Sequence, residues 1–235
     1  MHNKKTTQCA GCSAAIEYEP LVIFGKEVFA PTLCDKCAQA NESECAKARD
    51  LAEIEHRRGL WRVICPEEYQ TTQWERVAAK SPGFAQAVER FKIGMLTPYF
   101  IGPAGTCKTR AAFEILRRQH FAGGSVFAIS SRRFAWSASR SFDDDLQVRG
   151  QARENIQKCR TVKLLLLDDL GKEKLTDTVE GELYDLLEQR TSTRRPTIWT
   201  ANSDGQGLAA KLSEDRREAI LRRLFEFGTR AKEKL

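Results

Sequence analysis

No apolar run in the 235 residues approaches the roughly 18 needed to cross a bilayer, so no membrane span is expected. The N-terminal stretch MHNKKTTQCAGC lacks the apolar core of an export signal, and a cytoplasmic protein is expected. Without export, the eight cysteines are not expected to form a disulfide framework. Internal repeats and long low-complexity tracts are also missing.

What is present describes a soluble globular chain. Hydrophobic residues make up 41% and charged residues 30%, and the length suffices for one α/β domain plus a small module. The formal charge is +6, unevenly placed. Residues 1–60 hold 8 Lys/Arg against 9 Asp/Glu, which leaves 30 against 23 for residues 61–235. The basic excess lies on the larger part, where it suits either a nucleic-acid partner or solubility alone.

Four cysteines stand in two C-x-x-C pairs, Cys9 with Cys12 and Cys34 with Cys37. Between them YEPLVIFGKEVFAP reads as a hairpin broken at Gly25-Lys26. Two knuckles closed by a hairpin make a zinc ribbon, in which four thiolates complete a closed, structural tetrahedral site. This module spans residues 1–40. Residues 41–60 follow as a charged, helix-prone linker with Gly59 as its stop. Ser81-Pro82 opens a helix whose Phe84, Val88 and Phe91 share a core-facing side.

From Leu96 the pattern alternates. TPYFI, SVFAIS, VKLLLLDD and PTIWTAN read as strands, and KTRAAFEILRRQHFA and TVEGELYDLLEQRTST as helices between them. Such alternation implies an α/β domain over residues 61–235, with a mostly parallel sheet flanked by helices.

Four motifs carry chemistry. The first is GPAGTCKT, one residue short of G-x-x-x-x-G-K-[ST]. After a strand and before a helix, Gly102, Pro103, Ala104, Gly105, Thr106 and Cys107 would present backbone N–H groups to phosphates. Lys108 would reach the β- and γ-phosphates of ATP, and Thr109 would ligate Mg²⁺. The second is LLLLDD, whose buried strand delivers Asp168 to hold Mg²⁺ and Asp169 to polarise the attacking water as general base. The third is TAN, where Asn202 would orient that water or touch the γ-phosphate. The fourth is ILRRLFEFG, an arginine pair on an otherwise apolar helix, either a transition-state arginine offered to a neighbouring subunit or a surface ion pair.

Loop, LLLLDDLG, TAN and RRLFEFG, in this order and spacing, resemble the AAA+ ATPases of the DnaC/IstB group, which are helicase loaders and transposition helpers. The resemblance covers about residues 60–235. It implies a P-loop NTPase domain with Walker A, Walker B and sensor roles for Lys108, Thr109, Asp168, Asp169 and Asn202. It places the arginine finger at Arg223, with Arg222 as competitor. It also implies ATP hydrolysis, assembly into a homo-oligomer on nucleotide or DNA, and a replicative helicase or a transposase as partner. Three departures stand out. Cys107 replaces a glycine, Asp169 is shorter than the glutamate of most AAA+ enzymes, and with 12 residues following Arg223 no separate C-terminal lid is expected. Cys107 keeps open a nucleotide-gated binding module that hardly turns ATP over.

SSRRFAWSASR interleaves Arg132, Arg133 and Arg140 with Phe134 and Trp136. Arginines with aromatics suit single-stranded DNA. The alternative is a helix that buries both aromatics and leaves its arginines in solvent.

Overall fold

The computed structural model describes residues 4–24, 26–172 and 175–231. It divides into two compact units, Met1–Arg58 and Gly59–Leu235.

In the first unit β1 (Lys5–Gln8) pairs antiparallel with β2 (Ala15–Tyr18), and β3 (Leu21–Ile23) with β4 (Lys26–Phe29). The second hairpin is the one expected around Gly25-Lys26; Gly25 itself lies outside the described residues. Glu27 ties the two hairpins together, accepting from Lys5 Nζ at 2.5 Å and from the Tyr18 hydroxyl at 2.6 Å.

The helix α1 (Asp35–Ile64) is longer than the sequence suggests. It begins within the second cysteine pair and runs straight through Gly59. A mid-helix glycine costs only about 1 kcal/mol relative to alanine. Trp61, two residues on, outweighs that by burying its indole edge-on against Phe113 and beside His120.

The second unit continues with α2 (Glu67–Gln70), α3 (Trp74–Lys80), α4 (Pro82–Arg90), β5 (Thr97–Ile101), α5 (Lys108–Phe121), β6 (Val126–Ser130), α6 (Ser131–Arg140), α7 (Leu146–Thr161), β7 (Leu164–Asp168), α8 (Asp177–Ser192), β8 (Thr197–Ala201), α9 (Gly205–Ala209), α10 (Glu214–Glu226) and β9 (Gly228–Ala231). The five strands β6-β7-β8-β5-β9, in that order, form one parallel sheet. Side chains alternate between its faces with the period of two that a strand imposes. Leu164 and Leu166 join Phe84, Phe100 and Phe113 on the side of α4 and α5. Leu165 and Leu167 join Phe134, Leu183, Trp199 and Leu224 on the side of α6, α8 and α10. Burial of each leucine contributes roughly 1.5–3 kcal/mol. A strand covered on both faces needs an unbroken apolar run, and LLLL supplies it.

Several elements have no clear sequence signal, α7 and β9 among them. The α7 helix is polar, and its start is fixed by Asp145, whose carboxylate accepts the Gln147 and Val148 N–H groups. The strand β9 reads GTRA and exists through its pairing with β5. Gly228 is required there, since a Cβ would lie 2.7 Å from Tyr99 Cδ1. Among the described residues no helix is long and apolar enough to cross a membrane.

Candidate functional site

In this sheet order β8 lies between β7 and β5. The residues that follow the C-terminal ends of these three strands therefore converge on one crevice, where open α/β sheets place their ligands.

The glycine loop leaves β5 at Gly102, whose N–H donates to Ala201 O at 3.2 Å. Gly105 has φ +81°, and Cys107 has φ +63° and ψ 16°, both left-handed. Glycine enters this region freely, whereas a Cβ there costs roughly 1–2 kcal/mol. Cys107 therefore occupies a glycine conformation under strain. Inside the loop Thr106 Oγ1 donates to Pro103 O at 2.8 Å, and the buried Ser81 hydroxyl donates to Thr106 O at 2.9 Å. Lys108 is buried and curls back, donating from Nζ to Pro103 O at 2.7 Å. Arg110 fastens α2 to the start of α5, donating to Glu68 O at 3.0 Å and Thr72 Oγ1 at 2.8 Å and covering the Tyr69 ring.

Facing the loop, Asp168 ends β7. Its Oδ1 accepts from Thr109 Oγ1 at 3.0 Å and from Thr200 Oγ1 at 2.7 Å. Thr200 is fully buried and also accepts the Asp169 N–H at 2.9 Å. Burial pushes the Asp168 carboxyl above its ordinary value, against the lowering effect of the two hydroxyl bonds. Asp169 follows at φ +58°, a conformation aspartate tolerates better than most residues, and pairs with Lys172 Nζ at 3.2 Å. Asn202, exposed, stands one residue beyond β8, between the loop and the acids. The structure thus gathers Lys108, Thr109, Asp168, Asp169 and Asn202 in one crevice. A hydroxyl and a carboxylate oxygen 3.0 Å apart are hard oxygen donors suited to Mg²⁺.

The arginine pair is elsewhere. The residue after α10, Phe227, accepts the Thr97 N–H at 3.1 Å, so the pair lies toward the N-terminal edge of β5, away from its own loop. Arg223 is committed within its own chain. It donates to Glu188 from Nε and Nη2, to Ala219 O at 3.0 Å from Nη1 and to the Tyr184 hydroxyl at 3.3 Å, with its side chain 10% exposed. Arg222 is exposed and only loosely paired with Glu226 at 3.9 Å.

On α6 the two aromatics divide. Phe134 is buried, whereas Trp136 is exposed with Arg132, Arg133 and Arg140 around it. Arg132, Trp136 and Arg140 fall at i, i+4 and i+8 on one helix face. Arg140 also pairs with Asp143 at 2.7 Å.

In the first unit the sulfurs of Cys9, Cys12, Cys34 and Cys37 lie within 4.8 Å of one another. The Cys12–Cys34 separation is 3.6 Å, close to the roughly 3.8 Å edge of a tetrahedron with 2.3 Å zinc–sulfur bonds. The Cys34 N–H donates to Cys9 Sγ at 3.2 Å and draws that thiol down to about 6. A Cβ on Gly11 would come 3.1 Å from Cys37 Sγ, so a side chain there would push that sulfur aside by a few tenths of an ångström. The layout departs from two knuckles in one respect: the second pair flanks the first turn of α1. Of the scattered cysteines, Cys65 and Cys159 are buried, while Cys45 is exposed.

Thr200 and Ser81 escape the sequence reading. Thr200 stands two residues before Asn202 in WTAN, and Ser81 looks like a helix cap. Neither position announces a tertiary hydrogen bond.

No protein-family model and no curated protein matches the chain. Solved structures do. A structure of DnaI aligns with TM-score 0.59 and 22% identity over 71% of this chain and 93% of its own. A DnaC helicase loader aligns with TM-score 0.51 and 19% identity, over 64% and 86%. The fold is that of a DnaC-like AAA+ domain. The replication initiator DnaA, bound to AMPPCP and single-stranded DNA, aligns with TM-score 0.51 and 21% identity over 66% of this chain. The chain spans less than half, 45%, of that DnaA chain. The cysteine cluster adds a module that fits a zinc ribbon.

Proposed function

We propose that this protein is an ATP-dependent loader of a replicative helicase. The observation that carries the reading is the hydrogen-bonded set Thr109–Asp168–Thr200 facing the Lys108 loop, with Asn202 at its edge. That arrangement suits phosphoryl transfer to water. Loop N–H groups and Lys108 would hold the triphosphate, Asp169 would accept the water's proton, and Asn202 would orient that water. Thr109 and Asp168 would hold Mg²⁺, which supplies neutralisation of charge on the β- and γ-oxygens. Cys9, Cys12, Cys34 and Cys37 would hold one structural zinc ion.

Arg222, exposed on α10, is the better candidate for a residue offered to a neighbouring subunit, because Arg223 is held by Glu188 and Tyr184. A mixture of Arg222→Ala and Asp169→Ala subunits recovers activity if the arginine acts in trans. The α6 face with Arg132, Arg133, Trp136 and Arg140 suits single-stranded DNA, phosphates on the guanidiniums and a base on the indole.

The strain at Cys107 favours a second reading, a module that binds ATP as a gate and turns it over slowly. Steady-state hydrolysis with single-stranded and double-stranded DNA tests these readings together. The loader reading expects stimulation by single strands. Stimulation by duplex alone indicates a transposition helper, and nucleotide binding without turnover indicates the gate.

A further inference from the structure

At the N-terminal ends of β5 and β8, the sheet edge opposite the glycine loop, lies a cavity of about 540 Å³. Its wall is apolar where Leu187, Leu224 and Phe227 meet the Met95–Leu96 turn. Its charge is one-sided: Arg190, Arg194, Arg195 and Arg223 all line it, and among the described residues no carboxylate does.

Of these arginines, Arg223 has an acid to answer it in Glu188. Among the described residues, Arg194 and Arg195 have no carboxylate partner; Arg195 donates to Arg160 O at 2.8 Å, and Arg194 is exposed. Arg190 is 1% exposed, yet bonds only neutral oxygens: Thr197 Oγ1 at 2.8 Å, Cys159 O at 2.7 Å, Val162 O at 3.0 Å and Pro196 O at 2.6 Å. Burial without a counter-charge pulls it down to about 10. Arg190 is thus closed off inside its cage of oxygens and adds fixed positive charge behind the wall, while Arg194 and Arg195 are the guanidiniums that the described residues leave open to a partner's acid.

We propose that this cavity docks an acidic segment of a partner protein, which inserts one large apolar side chain beside a carboxylate. The volume suits a side chain with its flanking carboxylate, and the guanidinium fork binds a carboxylate bidentately. A nucleic-acid strand fits less well. Base stacking needs free aromatic platforms, and the Trp199 ring in this wall is already stacked on Tyr99 at 4.5 Å and capped edge-on by Phe225. The site is separate from the ATP crevice, so its failure and that of the ATPase reading are distinguishable.

The test is fluorescence anisotropy on the full chain with a fluorescein-labelled peptide EEEGLF. Controls are EEEGSG, which lacks the apolar end, the amidated QQQGLF, which lacks the charge, and a labelled dT15 strand. Two variants address the cavity. Arg194→Asn removes charge while suiting the left-handed backbone at φ +52°, and Thr191→Phe fills the space. The expected result is saturable binding of EEEGLF, at least tenfold weaker for each control peptide and each variant, with ATP hydrolysis of Arg194→Asn unchanged. The proposal is overturned if EEEGLF does not bind saturably, if EEEGSG binds equally, or if both variants bind as wild type. Arg194-dependent binding of dT15 as tight as that of EEEGLF overturns it too, in favour of nucleic acid.

Discussion

Thr200 donates its hydroxyl hydrogen to Asp168 at 2.7 Å and accepts the Asp169 N–H at 2.9 Å, so one buried side chain orients both acids of the crevice. Thr200→Val keeps the shape and removes both bonds. It leaves the Asp169 N–H unanswered at a cost of about 1–3 kcal/mol. The variant is expected to stay folded, to melt several degrees lower, and to lose at least about tenfold in ATP turnover, since an acid displaced by an ångström loses much of its effect. Wild-type turnover in a folded Thr200→Val protein would show that the orientation is immaterial.

Asp168 gives a pH dependence whose sign follows from its burial. Its folded pKa is raised, so as pH rises above the ordinary carboxylate range the unfolded chain sheds this proton before the folded one does. The group therefore costs stability progressively as pH climbs through that window, and the full cost persists above it. Asp168→Asn retains the acceptor for Thr109 and Thr200 without the charge. Without Mg²⁺ or nucleotide, its melting temperature is expected to exceed wild type at neutral pH, with the gap narrowing toward about pH 4. Its Mg²⁺-dependent nucleotide affinity is expected to fall at least about tenfold. Melting curves that run parallel across pH contradict this.

Cys107→Gly should release the strain of a left-handed Cβ, about 1–2 kcal/mol, less the 0.5–1 kcal/mol or so that glycine loses in chain entropy. The net expectation is a melting temperature up by a few degrees and nucleotide binding tighter by a few fold, read by thermal shift and titration calorimetry. Weaker binding in the glycine variant would mean that the thiol itself contributes.

The cysteine cluster predicts about one zinc ion per chain by elemental analysis. Chelation should melt the first unit, where few described apolar side chains are buried, while the far-ultraviolet signal of the sheet domain persists. Cys12→Ser should mimic chelation, and Gly11→Ala should weaken zinc retention by crowding Cys37. A first unit that holds its fold without metal contradicts the assignment.

The sheet was legible because buried parallel strands need apolar runs and the chemistry sits at their ends, so LLLLDD and the glycine loop mark their own places. The clustering of the second cysteine pair with the first was legible, but not its place at the head of a helix, because spacing records reach and not backbone shape. Gly59 misled because local propensity gave way to the burial of Trp61. The α7 helix and β9 were invisible for the converse reason: a polar helix and the tetrapeptide GTRA owe their form to neighbours. Thr200 and Ser81 act across 32 and 25 residues of sequence, distances at which a single hydroxyl leaves no pattern. The doubled arginine likewise gives no hint in sequence that Glu188 takes Arg223 and leaves Arg222 exposed.

ATP-dependent loading depends on the crevice between the Lys108 loop and the Asp168 strand end being able to turn over ATP. Steady-state phosphate release by wild type and by Lys108→Ala, with and without single-stranded DNA, tests it most directly. Wild type is expected to hydrolyse ATP with Mg²⁺, faster in the presence of the strand, and to lose at least about a hundredfold with the lysine. Equal background rates for the two proteins, under both conditions, would contradict it.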